Sequence, residues 1–394
     1  DGVIVTNQGE GSISVFPADL QGASKLAVGG QPRAVVVSGD GARAYVTDFL
    51  TVGDTATVWE LGWSPLQLTR AIALAEDPGP NTTASARGFP NLLSAIGLEP
   101  SGLSLWVGGV KSNTGTGALV SGEDLTSTTR VRGVMAEIDV GGGAEMIDNR
   151  IDPNDADSVS AIAFSPSGRY AFVTHQGAET VSVYDLPVAR TVDTSDGSPV
   201  DVVSRVEVGF APQGIVLSSD GTKAFVANFL SRSVSVLDVS DPAGISVTES
   251  VSVVATEPLA APILNGKRMF YRSRAPLHSQ SNYISCASCH ADGAMSDGRT
   301  WDFTQSGEGL RNTIDLRGKS GTGHGPVHWS ANFDEIQDFE NDIVFAFEGS
   351  GLAQDGAPPH PPLAPARNGG RNQDLDDLAA YVASLNEVSR SPHR

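Results

Sequence analysis

Apolar and polar positions alternate over short stretches through the first 250 residues, and one stretch recurs along the chain. Residues 34–48, 161–175 and 214–228 each read as an apolar run, a turn carrying glycine (Gly41, Gly168, Gly221), and a second run rich in aromatic and β-branched residues. Residues 95–107 are a weaker copy around Gly102. A third alternating run follows at 56–61, 180–186 and 233–239, and residues 12–16 match it. Each repeat thus predicts three antiparallel strands and a less regular fourth. The turn glycines lie 61, 66 and 53 residues apart, wider than the roughly 40–45 of a compact unit, so loops are inserted. Residues 77–83, 111–129 and 191–199 have the Gly, Pro, Ser and Thr content of such loops.

One four-stranded sheet cannot bury both its faces, so such units stack radially, and the pattern predicts an all-β propeller. The strands Tyr45-Val-Thr-Asp48, Phe172-Val-Thr-His175 and Phe225-Val-Ala-Asn228, each after a Ser- and Gly-containing turn, resemble the YVTN family of propellers. About five blades are visible before Pro258, and the first lacks its opening strand. Two arrangements explain this. Upstream residues complete a seven-bladed ring, which is the preferred expectation, or residues 259–264 close the ring beside residues 3–6. Asp1 is neither an initiator Met nor the start of a signal-like apolar core, so the chain reads as processed, truncated or incomplete at its start.

From Asn265 the repeat dissolves. Residues 265–271 echo a turn and strand but equally suit an opening helix, and residues 374–385 carry apolar residues at helical spacing behind acidic first-turn residues. A boundary near 257 gives a propeller over 1–256 and a mainly α domain over 257–394. No apolar run approaches the ~18 residues of a membrane span. The net charge of −20, with only five lysines (Lys25, Lys111, Lys223, Lys267 and Lys319), excludes a nucleic-acid partner. It suits steering of a basic redox partner, or simple solubility.

Cys286-Ala-Ser-Cys289-His290 adds the chemistry, because C-x-x-C-H marks covalent attachment of haem c. Two thiols add to the porphyrin vinyl groups and the adjacent imidazole ligates the iron. A zinc site would need about four N or S ligands, and these are the only two cysteines. A thioredoxin-like dithiol has no use for the trailing His, and a plain disulfide is the blandest alternative. For the distal position Met295 lies too close to His290, and Met269 is a weak candidate. His324 and His328 follow His290 by 34 and 38 residues, and His328 is the expected ligand, with Pro326 and Trp329 stiffening its loop. His360 reads as a loop residue. Asp152, Asp155 and Asp157 alternate as in part of a calcium loop, but lack the central Gly and bidentate Glu of an EF-hand and read as a polar turn. His175, in place of the Asn of its repeat, is expected at a blade edge.

The helix at 374–385 resembles the last helix of class I cytochromes c. Leu310-Arg311-Asn312, Leu316-Arg317-Gly318, Gly325-Pro-Val-His328 and residues 333–339 resemble the C-terminal haem domain of di-haem cytochrome c peroxidases and methylamine-utilisation haem oxidases. That resemblance implies a cytochrome c domain, with Arg311 and Arg317 as partners of the haem propionates. Those enzymes use two haems, and this chain offers one motif, so peroxidase activity is not carried over. The expectation is an exported c-type cytochrome, periplasmic or at the cell surface, with His290 and His328 on the iron. The propeller would dock a redox partner or take part in a larger assembly. The rival is a haem oxidoreductase with a substrate site on the propeller.

Overall fold

The computed structural model describes residues 2–63 and 65–388, so Asp1 and 389–394, at the outer ends of the two expected domains, lie outside the described residues. Five antiparallel sheets follow one another along the chain. Blade 1 has three strands, Gly2–Asn7, Ser12–Pro17 and Ser24–Ala27. Blades 2 to 5 have four each, opening with Pro32–Val37, Phe89–Leu98, Val159–Phe164 and Pro212–Leu217. The expected three-stranded first blade is therefore present. Gly2–Asn7 pairs with Ser12–Pro17, while residues 261–271 are helical, so closure of the ring by residues 259–264 does not occur.

The repeated turn is built by its side chains. Gly221 takes φ +71°, and Ser218 Oγ donates to Asp220 Oδ1 at 2.6 Å; Gly41, Ser38 and Asp40 repeat the arrangement. The first strand of each four-stranded blade carries a register shift, at Pro32/Val35, Asn91/Ala95, Val159/Ala161 and Pro212/Gly214. Neighbouring blades bury their apolar rows against each other: Tyr45, Val58, Leu93 and Leu105 between blades 2 and 3, and Trp106, Met135, Val159 and Tyr184 between blades 3 and 4. The two end blades leave such rows uncovered, with Val3 and Val5 exposed on blade 1 and Val216 and Phe225 on blade 5.

Residues after 257 cover the propeller face opposite the glycine turns. The expected mainly α domain is corrected here: three α-helices, Ala261–Tyr271, Glu340–Phe345 and Gln373–Ser384, and two short hairpins are set in irregular chain. The reason is composition. Gly and Pro crowd residues 349–370, and neither continues a helix. The first and last helices cross where expected, with Asn265 Nδ2 donating to Asp374 and Asp377 at 2.9 and 2.8 Å. At the crossing a Cβ on Gly266 would overlap the Asp377 carbonyl.

Contacts to the propeller run from blade 2 to blade 5. Arg33 grips Asp292 with two bonds of 2.9 and 2.8 Å, and Asn91 Nδ2 donates to Asp297 O at 3.0 Å. Tyr283 Oη donates to Asn154 at 2.6 Å, and Arg268 Nε donates to Leu230 O at 3.0 Å.

Candidate functional site

Cys286–Ser288 is a single 3-10 turn, started by Ser285, whose backbone N–H donates to Ser288 Oγ at 3.0 Å. Both thiols are free of a disulfide, and they face different cores. Cys286 packs with the helices, near Met269, Phe270 and Tyr381. Cys289 packs into a cluster shared with the propeller, formed by Phe49, Leu92, Val110 and Val131 together with Ile284, Ala291 and Trp301. The surrounding protein pushes the Cys286 thiol up to about 12 and the Cys289 thiol well above its usual range, with Asp297 adding to the latter.

His290 opens the hairpin that pairs it with Ser296. Its ring lies 6.0 Å from that of Phe270, and its Nδ1 is buried with no hydrogen-bond partner. Burial lowers it to about 4; the backbone of Ile314 and the Asp315 carboxylate oppose that shift, and His328 adds to it. Beside this hairpin lies a cleft of about 510 Å³, lined by Ser296, Asn312, Ile314, Asp315, Arg317 and Trp329 among others, and by no propeller residue. It is open to the surface, and Cys286, Cys289, His290 and His328 are not among its lining residues.

His328 is held from both sides. Its Nδ1 lies 3.3 Å from Glu308 Oε1 and 3.2 Å from Asn332 Oδ1, while Nε2 is 3.8 Å from Asp342, beyond hydrogen-bond reach. Phe333 and Phe339 pack on the ring at 4.1 and 4.7 Å. The residue takes φ +66°, in the left-handed region, where His, like Asn and Asp, is found more often than most residues.

The other expected site residues are placed differently. Arg311 and Arg317 form ion pairs with their own neighbours, Glu308 at 3.6 Å and Asp315 at 2.5 Å. Trp329 does not enclose the site; it is 59 % exposed at the lip of the cleft, its Nε1 donating to Asn312 O at 2.7 Å. His324 is exposed, and Met269 is buried among the helices. His175 ends its strand, yet is fully buried with both ring nitrogens unpartnered.

The polar turn expected at Asp152–Asp157 is corrected too. Asp152 is buried, 2.6 Å from Lys111 Nζ and 2.7 Å from Ser85 Oγ, and Asp157 accepts from Gly177 N and Ala178 N at 2.6 and 2.9 Å. These carboxylates are engaged, and among the described residues no group of three or more His, Cys, Asp or Glu is arranged to hold a metal ion.

Sequence reasoning missed Glu308, Asn332 and Asp342 around His328, and Arg130 near Cys289. Nothing local marks Arg130, which lies at the end of an inserted loop and is brought to the site only by the fold.

A family model described as a lactonase with a seven-bladed β-propeller matches residues 148–267. No curated protein matches the sequence. Among solved structures, the chain is similar to a functionally unknown protein from Desulfotomaculum acetoxidans DSM 771, at 18 % identity over 64 % of this chain and 67 % of that one, with a TM-score of 0.45. It is similar to hydrazine synthase from Kuenenia stuttgartiensis, at 18 % identity over 61 % and 80 %, with a TM-score of 0.43. It is also similar to the periplasmic gluconolactonase of Pseudomonas aeruginosa, at 16 % identity over 66 % and 69 %, with a TM-score of 0.45. Blade geometry and family match together make the chain up to Ser252 a β-propeller.

Proposed function

We propose that the chain is an exported c-type cytochrome that carries electrons through one haem attached at Cys286 and Cys289, with His290 as proximal ligand and His328 as distal ligand. The observation that carries this reading is the pair of unbridged thiols on one turn, followed at once by an imidazole whose buried Nδ1 has no partner. Bound there, a haem supplies one-electron chemistry at its iron. His290 and His328 suit that group, and the two thiols, on one short turn but packed in separate clusters, would have to turn towards one porphyrin. Ligating histidines have one ring nitrogen fixed by a carboxylate or amide, as Glu308 and Asn332 fix Nδ1 of His328, with Nε2 3.8 Å from Asp342. Arg311, paired to Glu308, is a positioning residue for His328 in this reading, in place of a propionate partner.

Production in a host that matures c-type cytochromes tests the proposal. The expected protein carries one covalent haem by intact mass, and its reduced spectrum is unchanged by carbon monoxide. His328→Ala opens the sixth position, so that variant binds carbon monoxide. A protein leaving the same host with both thiols free overturns the reading, and carbon monoxide binding by the unaltered protein removes His328 from it.

A further inference from the structure

Arg130 closes the short helix Ser127–Arg130, at the end of the inserted loop of blade 3, and is 5 % exposed. Its Nη2 reaches Leu125 O only at 3.5 Å, and Nε and Nη1 have no hydrogen-bond partner. The guanidinium stacks 5.0 Å over the ring of Phe303, in the cluster that holds Cys289 and Met295 against Leu125 and Val131. Acidic groups lie in the neighbourhood but turn to other donors. Glu348 accepts from Ser127 Oγ at 2.8 Å, and Asp302 accepts from Leu119 N and Thr304 N at 2.7 and 2.8 Å. Asp342 is directed towards His328. The guanidinium is thus buried beside the attachment turn without an ion pair of its own, balanced only in part by the more distant carboxylates of Asp342, Asp302 and Glu348. Such a charge is destabilising unless something nearby offsets it.

We propose that Arg130 is a charge supplied by the propeller to the redox centre, raising its reduction potential by favouring the reduced state. This rests on the electron-carrier reading. On reduction the centre gains one electron from a reduced one-electron carrier protein, which loses one. No covalent bond is made or broken, and Arg130 neither gives nor takes a proton. The net charge of the centre falls by one, so its interaction with a fixed cation becomes more favourable by that one charge, and weak screening in the core keeps the effect large. The propeller is then a wall of the site and sets its energetics.

The full haem-loaded chain is compared with Arg130→Met, which keeps an apolar stem, and Arg130→Lys, which keeps the charge. Spectroelectrochemical titration is expected to show a lower midpoint potential in Arg130→Met and a value near that of the unaltered protein in Arg130→Lys. Thermal melting is expected to show Arg130→Met at least as stable as the parent, since an unpartnered charge has left the core. Should Arg130→Met not fold, Arg130→Gln is the second neutral variant for the same titration. An unmoved potential in the neutral variant, with haem content and absorption spectrum retained, overturns the inference alone. Lower melting temperatures in both Met and Lys variants at constant potential would assign Arg130 to structure and overturn it as well. Absence of covalent haem from the unaltered protein overturns the electron-carrier reading and takes this inference with it.

Discussion

Asp157 is buried where blade 4 meets the C-terminal chain, and burial lifts its carboxyl to about 7 despite the two backbone N–H groups it accepts from. The folded protein therefore keeps a proton that the unfolded chain releases above about pH 4. Its stabilising contribution is complete below that pH and is lost as pH rises through about 7, an effect on the order of a few kcal/mol. Asp157→Asn cannot release the proton. Urea unfolding between pH 4 and pH 8 is expected to show the unaltered protein losing stability relative to this variant; parallel curves would contradict the assignment. His175, held neutral by burial and lowered to about 3, acts in the opposite sense, which is why the comparison with the variant is needed. At this scale the sequence was legible only where residues act on near neighbours. Cys286 and Cys289 lie on one short turn directly before His290, so their nearness in the chain is also nearness in the fold. The partners of His328 lie up to 20 residues away, at Glu308, and no local pattern announces that contact. For Arg311 and Arg317 the sequence allows a haem propionate or a salt bridge equally, and only coordinates show Glu308 and Asp315 beside them.

At the scale of elements, period-2 alternation and turn chemistry are local, so the strands and their order were readable from the chain. The last helix starts at Gln373, one residue before the expected start, because Asn372 caps it by accepting from Asp374 N at 2.8 Å. The helix that follows the propeller was ambiguous in sequence, since residues 265–271 also fit a turn and strand. Packing decides it: Gly266 lets the first helix lie directly on the last, and no strand offers that contact. Gly266→Ala is expected to force the two helices apart at a cost of about 1–3 kcal/mol. Chemical denaturation followed in the far ultraviolet measures it, and a variant as stable as the parent would show that the crossing yields easily. The C-terminal chain falls short of mainly α in part because residues 349–370 are too rich in Gly and Pro to be helical.

For the whole molecule, the boundary near 257 separates repeats from non-repeats, but it does not separate cores. Phe210, Phe229 and Leu230 of the propeller pack with the C-terminal helices, and Phe49, Leu92 and Val131 pack with Ile284, Ala291 and Trp301. The full chain is expected to melt in one cooperative transition. A fragment starting at residue 257, stripped of these walls, is expected to lose its near-ultraviolet circular dichroism; a fragment that keeps a native-like spectrum and melts sharply would show that the C-terminal chain folds independently.

On the proposed haem reading, the position of Cys289 also bears on the biogenesis of the protein. Leu92, Val110 and Val131 close over the turn when the two parts of the chain dock. A chain that completes its fold first has shut its own attachment point against any enzyme that joins a porphyrin to a thiol. If a haem is joined to Cys289 as proposed, attachment precedes docking, and the time before docking limits how much of the protein matures.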